Sequence, residues 1–167
     1  DVEIFSIGSD IRDITNASAY QISTLSSEKD LSLIMVSTNI SEEIATDYKE
    51  ALIRSMFNQD EINLYKTNSY IGENNKGYLS YIAFEISNPK TQYGEERIKY
   101  IKEIMEKENT DRRTIAEYLI LSDPKLTMAN IKEVESALYR RNIQRLINNT
   151  YYQLPDNTWT VYINTNS

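Results

Sequence analysis

The chain has 167 residues, of which 40% are hydrophobic and 26% charged, with a net charge of −7. That is the composition of one globular domain, long enough to bury about 70% of the surface its unfolded chain exposes. It has neither cysteine nor histidine, which excludes disulfides, thiolate nucleophiles, thiolate or imidazole metal sites and Ser-His-Asp hydrolysis. Acids outnumber bases in the front half, where a nucleic-acid groove would need clustered Lys and Arg.

Taken in chain order, Ile11, Ile14, Ile22 and Leu25 fit a helical stripe, and the run LSLIMVS (31 to 37) is compatible with strand or buried helix. Asn39 with Glu42 forms an approximate capping box. It opens a helix with Ile44, Tyr48, Ala51, Leu52 and Met56 on one side. Asn58 with Glu61 repeats the device before a short helix ending near Tyr65. After a glycine loop, GYLSYIAFEIS reads as a strand that stops at Asn88-Pro89. A helix follows from Glu95, and Asn109 or Thr110 is expected to cap a separate short helix ending near Asp123-Pro124. Thr127 starts the last helix, whose apolar positions include Ile131, Val134, Leu138, Ile143, Leu146 and Ile147. Finally, YYQLPDNTWTVYI places a Pro-Asp-Asn turn between two alternating runs, a β-hairpin.

The expected fold is therefore helix-rich α+β. Four to five helices accompany a small antiparallel sheet, formed by the strand after Gly77 and the C-terminal hairpin. A lone hairpin is barely stable in water, so pairing between these parts is expected. No repeat or long linker divides residues 1–167, which read as a single domain.

The loop SYIGENNKGYLSY concentrates the candidate functional residues. Phosphate binding needs a lysine and hydroxyl directly after the second glycine, leading into a helix. Here Gly77 leads through Tyr78 into a strand, so that chemistry is excluded. Gly72 and Gly77 are expected to supply backbone angles with φ > 0. Glu73, Asn74, Asn75 and Lys76 would then be displayed at the tip, making Gly72 to Tyr78 a candidate interaction loop. Tyrosines on strands are used mainly for packing, but Tyr81, Tyr152 and Trp159 would form an interaction patch if exposed together. Arg140, Arg141 and Arg145 read as a solvated helix face. Asp60, Glu61 and Glu73 are the acids that carboxylate chemistry would need, although Glu61 is assigned to capping.

Five short motifs in order resemble the YdbL-like family of bacterial envelope proteins over residues 55–163. They are Gly72-Glu73, Gly77-Tyr78-Leu79, Asn109 with Arg112, Ile115-Ala116, and Trp159. Where that family carries a glycine before its terminal tryptophan, this chain reads Asp156-Asn157-Thr158. Residues 1–50 correspond to an N-terminal extension of longer, lipoprotein-type members. The resemblance implies a periplasmic or envelope-anchored protein without enzymatic activity, catalytic residues, metal or cofactor. It would act on an envelope protein partner as an assembly or accessory factor, and touch the membrane only through a lipid anchor. The start at Asp1 suits removal of an export signal or a lipid-bearing cysteine. A carrier for an apolar ligand or lipid is the alternative, and a carboxylate-based glycan hydrolase the remote one.

Overall fold

The structure is a computed structural model and describes residues 41–165. The stripe at residues 11–25, the run at 31–37 and the Asn39 cap lie outside the described residues. Among the described residues, four helices accompany a four-stranded sheet, giving a helix-rich α+β fold. None of the described helices is long and apolar enough to cross a membrane.

Two compact units share the chain. The first holds α1 (Glu42–Phe57), the latter part of α3 (Glu95–Ser122, reckoned here from Asp111) and α4 (Ile131–Gln144) up to Leu138. Ser41 begins α1 by accepting the Ile44 N–H on its Oγ at 3.3 Å, and Glu42 and Glu43 lie in the first turn, where the helix dipole favours negative charge. The apolar period of α1 buries Tyr48, Ala51 and Leu52 against Ala116, Leu119 and Val134. Tyr48 and Tyr118 stack with ring centroids 3.7 Å apart. Arg54 closes the edge of this core through a forked pair to Asp111, with Nη2 2.8 Å from Oδ1. The expected helix break at Asn109–Thr110 is absent, because the Asn109 side chain is used elsewhere, as described below. Thr127 does cap as expected. It forms a reciprocal box with Asn130 around the 3₁₀ turn Met128–Asn130, which runs on into α4. Since α4 ends at Gln144, Leu146 and Ile147 lie beyond it.

The second unit holds α2 (Gln59–Thr67), β1 (Ile71–Glu73), β2 (Leu79–Tyr81), the first part of α3, the end of α4, β3 (Thr150–Gln153) and β4 (Trp159–Tyr162). Asn58 precedes α2 without a side-chain cap. Glu61 instead accepts the hydroxyls of Tyr65 at 3.2 Å and Tyr100 at 2.9 Å. Sheet order is β2-β1-β3-β4. The strand after Gly77 thus pairs with β1, antiparallel, and β1 joins the C-terminal hairpin by a parallel pairing of Glu73 with Tyr152. The sheet is consequently mixed, where an antiparallel one was expected. The strand is also shorter than its composition suggests. Phe84 takes φ 70°, and the Ile86 and Ser87 N–H groups both turn back to the Ile82 carbonyl. Ile62, Tyr65, Tyr70, Ile71, Leu79 and Ile101 form the core beneath the sheet.

Candidate functional site

The loop from Gly72 to Tyr78 is built from the inside. Gly72 lies in β1, and its φ is not in the left-handed region; among the described glycines only Gly77, at φ 92°, has a positive φ. Gly72 is glycine for lack of room, because a Cβ there would lie 2.8 Å from the Tyr151 carbonyl oxygen and 3.0 Å from the Trp159 ring. Glu73 is not displayed. It is buried at 2% exposure and pairs with Lys66 Nζ at 2.6 Å.

Asn74 shapes the turn. Its Oδ1 accepts the N–H groups of Lys76 and Tyr78 at 2.9 and 3.0 Å, and its Nδ2 donates to Ser80 Oγ. Asn75 ties the loop to the hairpin. Its N–H donates to Gln153 Oε1, and its Nδ2 donates to the Leu154 carbonyl and to Asn157 Oδ1 at 2.7 Å. Of the seven residues only Lys76 is exposed. The amide groups that sequence reading placed on display hold β1–β2 against β3–β4.

Register divides the aromatic set. Ile71 faces Tyr81, Glu73 faces both Leu79 and Tyr152, and Gln153 faces Trp159. Directly opposed residues share a face and neighbours along a strand alternate. Tyr81 and Tyr152 therefore lie on the core face, and Trp159 on the other with Gly72. No three-residue patch forms. Tyr81 is further engaged, with Lys102 Nζ 4.6 Å from its ring centroid; burial, then the neighbouring Tyr70, raises its pKa.

The two outer edges of the sheet differ. On β2, the hydrogen-bonded pairs with β1 include Asn74–Tyr78 and Tyr70–Ile82, so the Leu79 backbone points outward by alternation. There the Asn109 carboxamide stands in for a strand, accepting the Leu79 N–H at 2.8 Å and donating to its carbonyl at 3.0 Å. On β4, the Thr158 and Tyr162 carbonyls accept from Leu154 and Asn149, and the Asn164 N–H donates to Asn148 Oδ1. All of these even-numbered groups point inward. The backbone groups of Trp159, Val161 and Ile163 accordingly point outward, and β4 has no outer neighbour among the described residues. From Trp159 to Ser167 the sequence has no charged residue and no proline.

Two of the three acids considered for catalysis are otherwise committed, Glu73 to Lys66 and Glu61 to two tyrosines, and the third, Asp60, is exposed. Tyr100 has its pKa raised first by that hydrogen bond; for Tyr65 burial leads and the Glu61 charge follows. A surface hollow of about 570 Å³ beside Tyr100 is lined by Gly94, Glu95, Glu96 and Arg97 as well. This lining is charged and unlike an apolar ligand site. Among the described residues no three acids gather as a metal site would need. Asn109 and Lys66, which shape the site most, were not singled out as site residues in the sequence; Asn109 reads as a helix cap, and Lys66 falls just past the expected end of its helix near Tyr65. Comparison of the chain with protein-family models, curated proteins and solved structures finds no match.

Proposed function

We propose that this chain is a non-enzymatic interaction protein of the bacterial envelope that engages its partner by strand addition at the outer edge of β4. The open edge carries the reading: Trp159, Val161 and Ile163 present backbone groups outward on an uncharged strand. Natural edges are usually blunted by lysine, proline or a covering element. β2 has such a cover in Asn109, and among the described residues β4 has none. An extended segment laid beside β4 would complete the ladder, with main-chain hydrogen bonds providing affinity. The envelope setting, and an assembly or accessory role there, rest on the resemblance to YdbL-like proteins over residues 55–163. The GENNKGY loop supports this function from within, by fixing the hairpin that bears the edge.

A photocrosslinking amino acid at Ile163, which is 62% exposed, tests the reading in intact cells against the same group at Glu85, an exposed position elsewhere in the second unit. The expected result is a discrete protein adduct from position 163 in the envelope fraction, absent from position 85. Equal labelling at both positions, or a protein confined to the cytosol, would overturn it.

A further inference from the structure

We infer that the strand added at β4 is the β4 of a second copy of this chain, paired antiparallel about a two-fold axis at Val161. The inference rests on the strand-addition reading above and names the partner.

The register follows from which groups face outward. Hydrogen-bonded antiparallel pairs need outward-facing residues opposite one another, and on this edge those are Trp159, Val161 and Ile163. A two-fold at Val161 sets Val161 against itself and Trp159 against Ile163 of the other copy. All the outward groups are then used. A two-fold at Thr160 would instead oppose Ile163 to Asn157, which sits in the hairpin turn at φ 75°. One centred on Tyr162 would carry Trp159 past the strand altogether.

Side chains agree with the same register. Trp159, Val161 and Ile163 share a face of the sheet by alternation. Pairing would lay Trp159 of each copy beside Ile163 of the other, an aromatic and β-branched cross-strand pair of the kind that stabilises sheets. It would cover Ile163, the most exposed large apolar residue of the described second unit. On the opposite face Thr160 would meet Tyr162. Two copies of a molecule with net charge −7 repel one another, but no like charges meet along this strand, because it carries none. An isologous interface of this type is the common route to a homodimer.

Trp159 is the sole tryptophan, so its fluorescence reports the interface directly. The test is sedimentation equilibrium with Trp159 emission over a wide protein concentration range, for the wild type, Val161→Pro and Ile163→Lys. Proline at 161 removes an outward N–H and leaves the inner ladder to β3 intact. Ile163→Lys lies outside the strand and supplies the usual edge guard. The expected result is a concentration-dependent dimer with blue-shifted emission, and association about ten-fold or more weaker in both variants, through loss of the central hydrogen bonds in Val161→Pro and of the Trp159–Ile163 pairs in Ile163→Lys. Far-ultraviolet circular dichroism reports folding; if Val161→Pro unfolds, Ile163→Lys alone decides. A wild type that stays monomeric throughout, or a dimer unaffected by a folded variant, would overturn the inference. Should the wild type be monomeric while position 163 still crosslinks to a different envelope protein, the second copy is excluded and strand addition stands.

Discussion

Gly72 and the Lys66–Glu73 pair set the tolerances of the second unit. Gly72→Ala would drive a methyl group against the Tyr151 carbonyl and the Trp159 ring. Backbone cannot yield cheaply, so the variant is expected to lose about 1–3 kcal/mol in urea denaturation, with Trp159 emission altered in the native state. The Lys66–Glu73 pair is buried, its side chains only 10% and 3% exposed. Lys66→Met or Glu73→Leu alone leaves the other buried charge without its ion-pair partner and should cost about 3–5 kcal/mol. The double change Lys66→Met with Glu73→Leu removes both charges and should recover most of that loss. A double-mutant cycle by denaturation checks the coupling, and additive losses would contradict it. Neither role was legible in the sequence. Gly72 reads as a turn glycine because its crowding comes from Tyr151 and Trp159, about eighty positions away. Glu73 reads as a displayed loop residue because its lysine lies on the preceding helix.

At the scale of elements, local chemistry was readable and borrowed chemistry was not. The β3–β4 hairpin follows from its own Pro-Asp-Asn turn, where Asn157 accepts φ 75° and Asp156 binds the Thr158 N–H and hydroxyl. Those bonds, that from the hydroxyl first, lower the Asp156 pKa. A depressed folded-state pKa contributes stability above the unfolded value, and that contribution is lost as pH falls through the folded value. The Thr158 amide should therefore lose protection, relative to its intrinsic exchange rate at each pH, only below the ordinary carboxylate range, as read by NMR titration; Asp156→Asn should flatten the profile. By contrast, Asn109 has the look of a helix cap, yet its carboxamide serves β2 while α3 runs on. Asn109→Ala should cost about 1–3 kcal/mol by orphaning the Leu79 groups and should speed exchange of the Leu79 amide. Asn58–Glu61 fails as a capping box for the same kind of reason, since two tyrosines claim the carboxylate. The three residues of β1 are too few to show any period, which is why the parallel join between β1 and β3 was missed. Strand residues from Leu79 were legible, but not the reversal at Phe84, where a bulky residue holds a conformation it rarely adopts.

For the whole molecule, helix-rich α+β class was readable from the spacing of apolar residues, because each amphipathic face has a definite period. Function was not readable in that way. A chain without cysteine or histidine narrows the chemistry, and the proposed envelope setting rests on the resemblance alone, but neither identifies a surface. The proposal takes its surface from sheet order, which among the described residues leaves β4 at an edge. The proposal that this edge binds through its backbone is tested most directly by comparing Val161→Pro with Val161→Ala in the Ile163 crosslinking experiment. Each replaces the valine side chain, alanine by truncating it more than proline does, and only proline removes the N–H. The account predicts that the adduct survives in Val161→Ala and disappears in folded Val161→Pro. Equal adduct in both variants would contradict it.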